Sequence, residues 1–249
     1  MCLRAGVLRC EYLNHLFLEA PMQTNHITTE VGSPKLVGWV ALALFVLWLL
    51  ALIGSIAQMS MFPGFADQFI PAKIQANVWM ASLGWLIQLA IGTAIIALAL
   101  LLSYHLATPL NMMMRLALVA GVIGGAFLVA AGAGGQENVF GSLFYTSEQA
   151  SQLAQAIGTP DLTVMNATNS LVAGGFRSTA AYATGWAMVL WGITALRTKR
   201  FPAVLNWIGI IGGILYALTV WIGPITGFPS FLALQVWHLW LAISLLRSK

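Results

Sequence analysis

Beyond Lys35 the chain alternates long apolar runs with short polar or Gly/Pro-rich segments. The first run, residues 36–59, reads LVGWVALALFVLWLLALIGSIAQM, with almost no polar break. Further runs cover 78–103, 112–134, about 179–196 with a polar lead-in from about 163, then 203–222 and the shortest, 230–246. A helix rises 1.5 Å per residue, so about 20 apolar residues cross the roughly 30 Å of bilayer hydrocarbon. The runs are continuous rather than alternating, which predicts helices and not the strands of an outer-membrane barrel. The expected fold is all-α: a polytopic membrane helix bundle with six transmembrane helices over residues 36–249.

The connecting segments differ in length. Residues 60–77 form a loop with Pro63, Gly64, Asp67, Pro71 and Lys73. The larger external loop, 136–162, contains YTSEQASQLAQAIGTPD. Within it Ser147 resembles a helix start and Gly158 with Pro160 a stop, so a short surface helix is predicted over 147–157. Residues 223–229 read as a tight Gly/Pro turn. Ahead of the first run lies a polar tail, residues 1–35, carrying Arg4, Arg9, Glu11, Glu19, Glu30 and Lys35. Arg9 and Glu11 interrupt its only apolar stretch, which excludes the apolar core of a signal peptide. Met22 is a second candidate start, and residues 1–21 read as an upstream extension. The competing reading is a cytoplasmic amphipathic segment presenting Leu13, Leu16 and Phe17.

Composition narrows the class further. Hydrophobic residues make up 59% of the chain and charged ones 7%, against roughly 25% charged in an average soluble domain. That is too little polar surface for a soluble or disordered chain. Net charge is +4, but the basic residues are spread out, and no nucleic-acid patch forms. Both cysteines, Cys2 and Cys10, precede the runs and have no metal or disulfide spacing. No metal site is expected, and no cofactor is predicted. The basic residues instead report orientation. With the N-terminus inside, Arg4, Arg9, Lys35, Arg115, Arg197, Lys199, Arg200, Arg247 and Lys249 are cytoplasmic, and only Lys73 and Arg177 are external. This bias places both termini in the cytoplasm. Trp39, Trp79, Trp207 and Trp240 lie near run ends, where indoles favour the interface.

Candidate chemistry rests on few residues. Gly121 with Gly125, and Gly209 with Gly213, form G-x-x-x-G pairs that let helix backbones approach. Intramolecular packing is their first reading and a homodimer seam the second. The segments GVIGG and GIIGG that hold them are a weak internal echo. Arg177 is 20 residues from Arg197, hence about 30 Å away along a helix and near the outer boundary. It either snorkels, pairs with Glu137, Asp161 or Asp67, or captures an anionic or carbonyl-bearing ligand. Asn166, Asn169 or Ser170, Arg177 and Thr184 recur at helical intervals and share one face. His238 precedes Arg247 by nine residues, about 13 Å and so close to the midplane. Gln235 lies on its face. A lone intramembrane histidine binds a pigment or cofactor metal, relays protons, or bonds a neighbouring helix. Paired-histidine haem is improbable, because His105 sits at a run end and His15 and His26 lie outside the runs.

Gln58, Asn77, Gln88, Gln136, Asn166, Asn169 and Gln235 all fall toward the outer half. This asymmetry predicts a polar cavity opening outward between the first, second, fourth and sixth spans, or else a packing network. None of the seven acids falls within a run, which argues against proton-coupled transport and intramembrane aspartyl chemistry.

The stretch WAMVLWGITALRTKRFPAVLNWIGIIGGILYAL ends one span in a basic cluster, then continues Phe-Pro into a glycine-bearing span. In this it resembles a bacterial family of six-span inner-membrane proteins classed as a domain of unknown function. The resemblance implies the fold and a bacterial inner-membrane location, and supplies no catalytic residues. The leading expectation is a membrane protein whose outward cavity binds a lipid-like or small amphipathic ligand, or a partner membrane subunit. Arg177, His238, Gln235, Gln88 and Asn169 are its candidate residues, the bilayer is its surroundings, and nucleic acid plays no part. The alternatives are an enzyme acting on a lipid-soluble substrate, with His238 as acid/base and Arg177 as clamp, and a pigment- or cofactor-binding subunit using His238. Reporter fusions after Lys35, Arg200 and Lys249 are expected to read cytoplasmic, and one near Ser147 external. A C-terminus found outside would overturn the count of six.

Overall fold

A computed structural model describes residues 33–62, 69–107, 109–144 and 162–248. Among them are seven helices and no strand: α1 (Pro34–Met61), α2 (Pro71–Ala76), α3 (Val78–Leu106), α4 (Met112–Phe144), α5 (Leu162–Thr198), α6 (Ala203–Ile222) and α7 (Pro224–Leu246). Each long helix packs on the next, and α7 returns to α1, so the six long helices close a ring. Short connections make consecutive helices antiparallel neighbours. The short α2 lies against α4 and α3, and α3 also touches α5 across the middle.

Five helices are long and apolar enough to cross a membrane: α1, α3, α4 over Met112–Val139, α6, and α7 over Ile225–Leu246. Their outward faces carry large exposed apolar side chains such as Ile53, Ile56, Leu116, Ile211 and Trp221. A soluble monomer rarely exposes such a belt. The protein is therefore a multi-pass helical membrane protein. The remaining long helix, α5, has 37 residues and spans about 55 Å. It is less apolar than the others, yet it closes the ring between α4 and α6.

Lipid supplies no hydrophobic drive for helices to associate, so close packing must do so. The glycines of α4 and α6 divide this work in parallel. A Cβ at Gly125 would lie 2.6 Å from the Gly92 carbonyl oxygen, and one at Gly213 the same distance from the Gly185 oxygen. These contacts bring α3 onto α4 and α5 onto α6, backbone to backbone. The preceding glycines seat indoles instead. A Cβ at Gly121 would come within 3.2 Å of the Trp191 ring, and one at Gly209 within 2.6 Å of Trp237 Nε1. Trp191 and Trp237 are buried and stack with centroids 6.4 Å apart and planes 5° apart. Trp191 Nε1 donates to Ser103 Oγ at 3.0 Å, which satisfies both groups in the core.

The structure departs from the sequence expectations at three boundaries. The third run does not stop at residue 134, because α4 continues to Phe144 with Glu137 exposed on the extension. The polar lead-in of the fourth run is helical from Leu162. Its hydroxyls bond back along the helix, Thr168 to the Val164 carbonyl and Thr179 to the Gly175 carbonyl, while its amides face α4. The 223–229 turn is corrected to one residue. Gly223, at φ +65°, makes the reversal, and Pro224 begins α7 at once. Glycine tolerates that conformation, and proline at a first helical position forgoes a donor that has no helical partner anyway. Pro229 lies inside α7. The 60–77 loop contains α2, and the helix expected over 147–157 lies outside the described residues.

Candidate functional site

Two overlapping lobes, of about 300 and 400 Å³, open inside the ring. They share Ala51 and Ser55 of α1, Gln88 of α3 and Arg177 of α5. Each alone falls within the size range of small-molecule sites. The smaller lobe continues toward Gln58, Gly84 and Trp85. The larger descends past Ile91, Leu128 and Leu234 to an aromatic wall. There Trp48 meets Tyr216 edge-on at 6.3 Å and Phe231 at 6.4 Å. The cavity thus sets a wall bearing Arg177 and Gln88 beside an aromatic one.

Arg177 is held by a ring rather than an acid. Its Cζ lies 5.2 Å from the Trp85 centroid, a cation–π distance. Among the described residues no carboxylate engages it. Trp85 is fixed in turn by Gly135, where a Cβ would fall 2.0 Å from the indole. Only glycine leaves room for the ring that supports the cation.

The polar residues of the bundle interior fall into two groups. The first is bonded throughout and ties α4 to α5. Asn138 Nδ2 donates to the Asn166 carbonyl at 3.2 Å and to Ser170 Oγ at 3.0 Å, and Asn169 Nδ2 donates to Asn138 Oδ1 at 3.1 Å. Asn166 Nδ2 reaches the Phe69 carbonyl at 3.1 Å, and Ser142 accepts from Asn166 and, through its carbonyl, from Gln75. Gln136 and Gln58 donate to the carbonyls of Ser82 and Met80 on α3. Asn169 therefore belongs to a packing network.

The second group is uncommitted. Gln88 Oε1, Thr184 Oγ1 and both amide atoms of Gln235 are buried without a hydrogen-bond partner. Gln88 sits where both lobes meet. Buried unpaired polar groups cost about 1–3 kcal/mol each, and such groups in a native structure call for a bound water, ion or ligand.

His238 stands apart from Arg177. Its Nδ1 is 2.8 Å from the Leu234 carbonyl of its own helix, and Trp237 packs edge-on against it. It borders a void of about 10 Å³ that Thr184 also lines. That space is about the size of one water. The structure brings Arg177 and Gln88 together on the cavity, and places Gln235, His238 and Asn169 elsewhere. Trp85, Trp48, Tyr216 and Phe231 escaped the sequence reading, because an aromatic in an apolar run gives no sign of facing a cavity rather than lipid. Asn138 and Ser142 were legible only as a polar continuation of the third run beyond Gly134.

No protein-family model, curated protein or solved structure matches the chain.

The two groups predict opposite stability effects. Asn138→Leu removes three side-chain bonds and is expected to lower stability by about 1–2 kcal/mol, given intramembrane bonds of about 0.6 kcal/mol each. Gln235→Met keeps the volume, removes the unpaired amide, and is expected to raise stability by about 1 kcal/mol. Detergent unfolding of both variants measures this. A loss at Gln235 as large as that at Asn138 would show that the amide is bonded after all.

Proposed function

We propose that this is a six-span protein of the bacterial inner membrane, with both termini cytoplasmic, that binds a small amphipathic, lipid-like ligand in its outward-facing cavity. The observation that carries this reading is the shared wall of the two lobes. Arg177 without a described carboxylate and Gln88 with an unpaired amide oxygen stand beside an aromatic wall. A cation next to apolar rings suits a molecule with a head and an apolar body. Closure of the ring through α5 supports the sixth span, as does the nine-to-two basic bias along the chain.

An enzyme built on His238 and Arg177 is less well supported. His238 adjoins a water-sized void, whereas Arg177 faces the large lobes, so no one substrate position touches both side chains. The same void leaves little space for a pigment against the His238 ring.

Extraction in mild detergent followed by native mass spectrometry tests the proposal. Wild type is expected to retain a small molecule. Arg177→Ala is expected to lose most of it with little change in melting temperature, because a boundary arginine is already partly hydrated. Retention unchanged in Arg177→Ala, alongside a lowered melting temperature, would make the residue a packing element and end the case for a pocket.

A further inference from the structure

Taking the cavity as a ligand site, we infer that its occupant is a single-headed, monoanionic amphipath. A carboxylate-type head lies against Arg177, whose guanidinium donates to it, and one apolar body lies against Trp48, Tyr216 and Phe231.

The head follows from which polar groups remain free. Ser55 Oγ donates to the Ala51 carbonyl at 2.8 Å, Thr219 Oγ1 to Tyr216 at 2.6 Å and Ser230 Oγ to Gly227 at 2.8 Å. Gln58 Nε2 gives one N–H to the Met80 carbonyl. These side chains line the lobes, but those donors are spent on backbone. The donors left to meet a ligand are Arg177, the exposed Ser178 beside it, the Ser170 hydroxyl and the second Gln58 N–H, and of these only Arg177 is charged; the unpaired Gln88 oxygen can only accept. The contact with the Trp85 ring uses no N–H···O bond, and among the described residues the guanidinium donors remain for two oxygens of one acid group. Arg177 is the one cation lining either lobe among the described residues, and no acid lines them. Among the described residues one negative charge is matched, a second has no counter-charge, and an ammonium meets only a like charge.

The body follows from the other wall. The aromatic wall is built of three rings in edge-to-face contact, an arrangement that holds its shape. Trp48, Tyr216 and Leu234 also line the void beside His238, which holds no more than about one water, so the body cannot extend past these rings toward His238.

Two sources share this chemistry: a free long-chain carboxylate and the head of an anionic phospholipid. The full chain in phosphatidylcholine nanodiscs is titrated with ω-bromododecanoate, ω-bromododecanol, ω-bromododecyltrimethylammonium and a brominated phosphatidylglycerol, and bromine quenching of tryptophan is read. Saturable quenching by the carboxylate is expected, with the alcohol and the ammonium at least about tenfold weaker. Arg177→Gln is expected to abolish that preference and leave alcohol binding unchanged. Arg177→Lys keeps the charge but loses the fork, and should retain part of the preference. Trp48→Phe should reduce the quenching amplitude without moving the midpoint. Equal binding of carboxylate, alcohol and ammonium would overturn the monoanionic head while leaving the ligand site standing. Saturation by phosphatidylglycerol alone would overturn the single free chain. If no probe saturates, the ligand reading itself fails.

Discussion

The bundle depends on two places where helix backbones touch, Gly92 with Gly125 and Gly185 with Gly213. In a bilayer, side-chain burial gives helices no reason to prefer one another over lipid, so contact at atomic range has to hold them. Glycine permits that contact because it has no Cβ to be displaced. The two contacts fix α3 on α4 and α5 on α6, and the seats at Gly121 and Gly209 lock Trp191 and Trp237 between the pairs. Helices that cross at a point diverge on either side of it. On one side the gap is filled by the stacked indoles and a closed apolar core. On the other, one turn before Gly92 on α3 and two turns before Gly185 on α5, stand Gln88 and Arg177. The cavity lies where the helices have spread and the side chains do not fill the gap.

That geometry explains why polar residues of similar type behave so differently. Asn138, Asn166 and Asn169 sit where α4 and α5 stay adjacent beyond the ring, and their amides bridge the two helices in full. Gln88 sits where no protein donor reaches its amide oxygen. Bonded amides raise the specificity of packing, and unbonded ones cost stability unless something else completes them. Gly135 adds a further element. By admitting Trp85 it places a ring under Arg177 in the cavity wall, so a glycine on α4 positions a cation on α5 without touching it.

Much of this was legible in the sequence. The apolar runs predicted the long helices, the G-x-x-x-G pairs pointed to close approach, and the outward skew of Gln and Asn predicted a polar outer half with Arg177 and Gln88. What stayed hidden depends on tertiary neighbours. The lead-in of α5 was legible as a polar helix face, but not what that face meets, because its amides are bonded only where α4 runs beside it. Proline in the 223–229 segment suggested a broken turn, although proline at a helix start is compatible with continuation. His238 and Gln235 have the composition of a site, but only the fold shows His238 bonded to its own helix and both residues off the main lobes. The cavity aromatics carried no mark that separated them from lipid-facing ones.

The central claim is that the cavity is an occupied site rather than a packing defect. The most direct test is an experimental density map of the protein in native-lipid nanodiscs. The account predicts elongated non-protein density from Arg177 toward Phe231, with a polar atom of it within about 3 Å of the Arg177 guanidinium. A map with α1 drawn in against α5, no such density, and Gln88 and Arg177 bonded to protein groups would contradict it.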